Sequence, residues 1–154
     1  MSYFLRIFGQ EKKSLSTAEV IEFIHDGYFF EEEPDFATDI KDEFTWKIKI
    51  TYDRQLAPVI ISSSLVDAAS KKELDEIKFV LDASKASAPK EKILEIIGAT
   101  VISYTIEINQ KELTKDAWEM LDTVEAFLMR SCNGILFTGD NEFFDVKLKK
   151  FYKL

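Results

Sequence analysis

The sequence predicts an α+β fold, a single-domain sandwich in which helices pack on a mixed or antiparallel sheet. Residues 44–52 (FTWKIKITY) alternate apolar and polar side chains, a pattern typical of a strand with one buried and one wet face. Residues 114–130 carry apolar side chains at helical spacing, as in a helix that packs on a sheet. No Gly/Ser linker or fixed repeat interrupts the chain, so we expect one globular domain over residues 1–154.

The first part of the chain predicts a strand and a capped helix. Residues 3–8 are apolar and β-prone, and Gly9 ends them. Ser16 is followed three residues later by Glu19, which is the spacing of a capping box, and Gly27 ends the helix that they begin.

The middle of the chain continues with strands and helices. Residues 57–65 predict a strand beside 44–52, and residues 66–86 predict a helix. A second helix starts at Pro89 and stops at Gly98, and residues 100–108 again read as a strand.

The C-terminal part predicts the most strongly patterned helix and a hairpin. Thr114 is the expected N-cap, and Asn133 with Gly134 ends the helix after about Arg130. A strand, a turn at 139–141 and one or two short strands follow. The predicted order is therefore β-α-β-β-α-α-β-α-β-β.

Cysteine content and hydropathy favour the cytoplasm. Cys132 is the only cysteine, so the chain forms no internal disulfide and no cysteine-based zinc site, and a reducing compartment is expected. The N-terminus lacks the pattern of a signal peptide, and the run GATVISYTI is far shorter than the ~20 residues of a membrane span. We therefore expect no membrane partner.

The negative charge is concentrated in one segment. The net charge is −8, and residues 26–43 contain eight acids against the single base Lys41. Such a segment repels phosphate backbones, which disfavours nucleic acid as a partner, and it attracts a basic protein and accelerates its association.

The residue types of common catalytic sites are sparse. His25 is the only histidine, and Ser62–Ser64 lack the glycines of a nucleophile elbow. We expect His25 to interact with the carbonyl end of its helix rather than to act in catalysis. Cys132 has no second histidine to activate it, so a buried structural thiol is the expected role.

Cofactor and metal motifs are also lacking. The five glycines stand singly at element ends and form no phosphate-binding loop. Residues 140–145 (DNEFFD) lack EF-hand spacing and predict a hairpin turn, and adjacent carboxylates at 31–33 diverge on an extended chain. We expect no cofactor, no metal and no catalytic residue.

The basic C-terminus, KLKKFYKL, has two interpretations. Lysines on an edge strand prevent edge-to-edge pairing between molecules, so a solvated edge strand is expected. Alternatively, these lysines neutralise part of the acidic segment within the same molecule.

The stretch GYFFEEEPDF (residues 27–36) combines aromatic and acidic side chains and also has two interpretations. In one, it is a solvated loop whose phenylalanines return to the core. In the other, exposed aromatics ringed by carboxylates anchor a partner, as at many interfaces. The second gives these candidate partner-binding residues: Tyr28, Phe29, Phe30, Glu31, Glu32, Glu33, Asp35, Phe36, Asp39, Asp42 and Glu43.

Residues 118–145 resemble small bacterial immunity proteins, the cognate partners of polymorphic or contact-delivered toxins. The residues that carry the resemblance are Trp118, Leu121, Asp122, Gly134, Ile135, Phe143, Phe144 and Asp145. The resemblance implies a cytoplasmic, non-enzymatic α+β protein that binds and blocks one toxin domain, often through an acidic surface.

Three functions follow as hypotheses. The first is an immunity or inhibitor protein that neutralises a cognate toxin, or another basic protein, through the acidic and aromatic surface. The second is a general interaction or adaptor domain that forms a homodimer through an exposed strand edge. The third is an enzyme that uses carboxylates alone, for example Glu107 and Asp145 for acid–base chemistry.

Overall fold

A computed structural model describes residues 2–13 and 15–154. In these residues the fold is α+β, with an eight-stranded antiparallel sheet and four helices in the predicted order, plus a short strand at each edge of the sheet. The elements are β1 (Tyr3–Gly9), α1 (Thr17–Asp26), β2 (Asp35–Ile40), β3 (Trp46–Thr51), β4 (Val59–Leu65), α2 (Ala68–Asp82), α3 (Ala88–Gly98), β5 (Ile102–Ile108), α4 (Lys115–Cys132), β6 (Gly134–Phe137), β7 (Glu142–Phe144) and β8 (Lys150–Lys153).

The strand order is β2-β3-β4-β5-β1-β6-β7-β8, and all neighbours are antiparallel. The N-terminal strand β1 is central, because Ile7 lies opposite Tyr104 of β5 on one side and Leu136 of β6 on the other. Strands distant in sequence therefore meet in the middle, while β2 and β8 form the two edges.

Helices cover the two faces of the sheet unequally. Helices α1 and α4 pack on one face and bury a continuous core that includes the inward side chains of β3, β4, β5 and β1. Helices α2 and α3 pack on the other face over Phe8, Ile135, Phe137 and Phe143. On that second face, side chains of β3 such as Lys47 and Lys49 stay exposed.

The predicted helix caps are confirmed. The Ser16 side chain accepts the backbone N–H of Glu19, whose carboxylate returns to the Ser16 backbone, as in a capping box. Thr114 caps α4, and Asn133 ends it with a left-handed φ of 51°. No helix in the described part of the chain is long and apolar enough to cross a membrane.

Lys150 and Lys153 lie on an edge strand, as the first interpretation expects, because β8 is the last strand of the sheet, whereas Lys147 and Lys149 precede it. The alternative, in which they neutralise the acidic segment, is wrong for this fold. The acidic segment contains β2, which forms the opposite edge, so six strands separate the two.

The junction of β1 with the end of α4 leaves no room for a side chain at Gly9. The N–H groups of Gln10 and Glu11 both donate to the Cys132 carbonyl at 2.9 Å, which holds the helix end against the strand. A Cβ on Gly9 would lie 2.5 Å from the Cβ and Sγ atoms of Cys132.

We predict that Gly9→Ala lowers the free energy of unfolding by about 1–3 kcal/mol, because overpacking a tight core forces neighbours apart. Urea unfolding followed by circular dichroism measures it. Gly98→Ala is the matched control: a Cβ there meets nothing within 4 Å, and alanine favours the helix end. Equal midpoints for Gly9→Ala and the wild type would contradict the tight junction.

Candidate functional site

The acidic segment forms one edge of the molecule, and we call residues 26–43 the acidic edge. Among the described strands β2 pairs with β3 alone, so its outer backbone N–H and C=O groups have no strand partner there. Asp35 and Asp39 point to one side of β2 and Phe36 to the other, in the alternation of a strand. An unpaired edge of this kind can accept an extended segment of another protein.

The aromatics of the acidic edge separate into two groups. Phe29, Phe30 and Phe36 are half-buried and pack against the core, and the Phe30 ring stacks on Tyr52 with centroids 5.4 Å apart. Tyr28 is 82% exposed and has a left-handed φ of 49°, which is uncommon for a residue with a side chain. Ile40, which the sequence did not single out, is 58% exposed on β2.

The acids of this edge differ in what they contact. Glu33 contacts Nδ1 of His25, so the end of α1 is tied to the acidic edge. His25 lies in the last turn of α1, where we expect it to interact with the carbonyl end of the helix, and the contact with Glu33 is an additional one. The Asp42 carboxylate accepts the N–H groups of Phe44 (2.9 Å) and Thr45 (2.8 Å), which lowers its pKa and stabilises a turn.

The remaining acids of the edge are exposed: Asp26, Glu31, Glu32, Asp35, Asp39 and Glu43. Asp39 lies opposite Lys47 in the β2–β3 register, so one side of the strand is partly neutralised. Glu31, Glu32 and Glu43 lie outside β2, so no lysine of β3 lies opposite them to compensate their negative charge.

A second group of acidic side chains lines a cleft beside α4, on the face of the sheet that α1 and α4 cover. We call it the α4 cleft: a depression of about 310 Å³ between the helix and strands β1, β6 and β7. Its acids are Asp122, Glu125, Asp140 and Glu142, and the part of its lining formed by residues 2–13 and 15–154 contains no lysine, arginine or histidine.

Glu125 is the most unusual side chain of this cleft. It is only 4% exposed, and no hydrogen bond or ion pair to it occurs within the described residues. Burial and the nearby charge of Asp122 raise the pKa of Glu125 to about 8. Burial also raises the pKa of Asp122. Both carboxyl groups thus shift in the same direction, whereas an acid–base pair needs environments that push the two apart.

The carboxylate pair considered from the sequence is not brought together. Glu107 lies on β5 and accepts a hydrogen bond from Ser2 at 2.7 Å. Asp145 follows β7, with β1 and β6 between them, and accepts the N–H groups of Lys147 and Lys149. Its carboxylate stabilises a turn instead.

The other candidates have structural positions. Cys132 is fully buried, and burial raises the pKa of its thiol to about 12, so it is a buried structural thiol as expected. Ser62–Ser64 lie within β4, and Asn141, with a φ of 62°, forms the turn between β6 and β7. In residues 2–13 and 15–154, no three His, Cys, Asp or Glu side chains are grouped so as to hold a metal ion.

One feature of the sequence marks the α4 cleft. Glu125 lies four residues after Leu121 and four before Met129, between Val124 and Ala126, so an acid interrupts the buried stripe of α4. Such a position predicts a buried charge, which is rare without a function or a partner.

Comparison of the chain with protein-family models, curated proteins and solved structures gave no match.

We predict that Glu125→Gln stabilises the protein at pH 9 and has little effect near pH 4. The folded protein holds a proton on Glu125 up to about pH 8, while the unfolded chain releases it near its ordinary value of 4.5. The wild type therefore loses stability as the pH rises from 4.5 to 8, on the order of a few kcal/mol at ~1.4 kcal/mol per pKa unit. Glutamine has no proton to release.

Urea midpoints of both proteins at pH 4 and pH 9 measure this difference. Glu119→Gln, at an exposed position of the same helix, is the control and should give the same small difference at both pH values. If the difference in urea midpoint between the wild type and Glu125→Gln does not widen from pH 4 to pH 9, the folded protein does not raise the pKa of Glu125.

Proposed function

We propose that this chain is a cytoplasmic, non-enzymatic binding protein of the immunity or inhibitor type, which neutralises a basic toxin domain through the acidic edge. One observation carries the proposal: residues 26–43 contain both eight acids and β2, the strand at one edge of the sheet. Elsewhere the chain carries nearly balanced charge, since the total is −8 and this segment contributes most of it.

Two kinds of interaction would act together at this edge. Glu31, Glu32 and Glu43 create a negative field that attracts a cationic surface and raises its association rate by about 10- to 1,000-fold. Tyr28 and Ile40 supply exposed apolar contacts within that field, and the outer backbone of β2 offers hydrogen bonds. A standard interface covers about 800 Å² of each partner, an area within reach of a strand and its flanking loops.

The resemblance of residues 118–145 to immunity proteins supports the same function. It lies outside the acidic edge, however, and carries no argument about which residues bind. The choice of partner-binding residues therefore depends on charge and exposure alone.

Self-association is a second candidate function, which one observation favours. The acidic strand β2 and the basic strand β8 form opposite edges of one sheet, so β2 of one copy is complementary in charge to β8 of another. Pairing of β2 with β2, by contrast, would bring Asp35 and Asp39 of two copies together. Sedimentation equilibrium at low salt distinguishes the functions: a monomer over a wide concentration range removes this candidate.

We predict that the triple change Glu31→Lys, Glu32→Lys and Glu43→Lys abolishes capture of the partner at low salt. The three side chains are exposed and form no ion pair within the described residues, so the protein should keep its thermal midpoint. Reversal of three charges converts attraction into repulsion, and association should slow by at least about tenfold.

The measurement is affinity capture from a bacterial lysate at low salt with mass spectrometry, followed by co-expression of the captured protein with each variant. Asp75→Lys, Glu76→Lys and Asp82→Lys on α2 form the matched control, with the same change in net charge on a remote exposed surface. The proposal requires one basic protein, toxic when expressed alone, that the wild type and the control neutralise and the acidic-edge variant does not. Equal neutralisation by all three would contradict it.

We predict that Tyr28→Asn weakens partner binding by at least about tenfold, as expected for an aromatic anchor, without loss of stability. Asparagine tolerates the left-handed backbone of this position better than most residues. Titration calorimetry with the purified partner measures the affinity. Phe79→Asn, at an exposed aromatic of α2, is the control, and equal affinities for Tyr28→Asn and the control would remove Tyr28 from the interface.

A further inference from the structure

The α4 cleft presents negative charge that other groups of the protein do not use. Of its four acids, Asp140 accepts the hydroxyl of Tyr3 at 3.0 Å, and Glu142 pairs with Lys150 at 3.1 Å. Asp122 and Glu125 have no such contact within the described residues. Two carboxyl groups therefore remain available to something that enters the cleft.

Glu125 lies on the face of α4 that borders the cleft, where a bound cation would meet its carboxyl group. Trp118, Asp122 and Glu125 follow one another at i, i+4 and i+7 on α4, so they form a stripe that borders the cleft. Ionisation of a carboxyl group with so little contact with solvent is costly, so Glu125 favours its protonated form, and a bound cation would offset the cost of ionising it. Burial and the nearby charge of Asp122 raise the pKa of Glu125 to about 8, and a cation in the cleft would oppose both effects.

The rest of the lining favours an organic cation over a metal ion. Leu5, Leu136, Phe144 and Leu148 give the cleft an apolar wall, and Trp118 adds an aromatic surface of the kind that attracts cations. A metal ion would need more oxygen ligands than the two free carboxyl groups supply. A volume of about 310 Å³ is at the lower end of small-molecule sites.

We propose that the α4 cleft binds an ammonium or guanidinium group carried on a short apolar stem, with Glu125 and Asp122 as its counter-charges. The stem belongs either to a free small molecule or to a lysine or arginine side chain of a protein. This site is independent of the acidic edge. Its strand β1 is four strands from β2, about 19 Å at ~4.8 Å per strand.

The two tryptophans provide a direct measurement. Trp118 lines the cleft, whereas the buried indole of Trp46 donates to the Leu15 carbonyl at 2.9 Å and is an internal control. Butylguanidinium is the probe, because its charge is constant with pH, and butylurea is its neutral counterpart. Titration of ¹⁵N-labelled protein with each compound at pH 8.5 should shift the Trp118 indole signal with butylguanidinium alone.

Variants test the two carboxyl groups. Glu125→Gln and Asp122→Asn should each weaken butylguanidinium binding by about tenfold or more, as expected for loss of a charge-assisted contact. Asp75→Asn, at an exposed position of α2, should leave it unchanged. Movement of the Trp46 signal, equal shifts with butylurea, or wild-type affinity in both cleft variants would each overturn the proposal.

The affinity should also rise from pH 6.5 to pH 9, as Glu125 loses its proton. The other titratable groups that face it are Asp122 on α4, Tyr3 on β1, Asp140 in the turn and Glu142 on β7. Burial raises the pKa of Tyr3, so Tyr3 stays neutral over this range. An affinity that does not change with pH, or that falls, would contradict the role given to Glu125.

A second ligand distinguishes the two sources of the cation. The capped peptide acetyl-Gly-Arg-Gly-amide presents the same guanidinium on a protein backbone. Tighter binding of the peptide than of butylguanidinium assigns the cleft to an arginine side chain, and the reverse order assigns it to a free small molecule. If neither ligand shifts the Trp118 signal, the proposal is overturned.

Discussion

The structure depends on the burial of both faces of the central strand β1. Ile7 contributes to the core under α1 and α4, and Phe8, the next residue, contributes to the core under α2 and α3. Strand β1 lies between β5 and β6, and the other strands extend the sheet outward from this centre, which is buried on both faces. The strands farthest from it, β2 and β8, are left at the edges.

Both candidate sites follow from this arrangement. The acidic edge contains β2, the last strand on one flank of the sheet, so its acids are exposed to solvent. The α4 cleft lies on the other flank, where α4 overhangs β1, β6 and β7. There the stripe formed by Trp118, Asp122 and Glu125 borders the apolar stripe that holds α4 on the sheet. The two sites differ physically, since charge at the edge is solvated and Glu125 is not.

Local patterns in the sequence predicted most of the fold. Alternation in β3 and β5 and the caps Ser16 and Thr114 each depend on neighbours in the chain, and all were read correctly. The strand β2 was not recognised, because DFATDI has weak strand propensity and becomes a strand by pairing with β3. Strand order depends on contacts between distant residues, which a single sequence does not specify.

The functional residues were harder to predict for the same reason. The acidic edge is a feature of composition and was found, but its aromatics were divided by packing: Phe30 is held by Tyr52, while Tyr28 stays exposed. The α4 cleft combines one helix with three strands, so only Glu125 within a buried stripe marked it in the sequence.

Hydrogen–deuterium exchange of the complex with its captured partner tests the central claim, that the acidic edge is the binding surface, most directly. Our account predicts slowed exchange in residues 26–43 on binding, with the outer amides of β2 among the protected groups and α2 unchanged. Protection confined to α2, α3 or β8, with residues 26–43 exchanging as in the free protein, would contradict it.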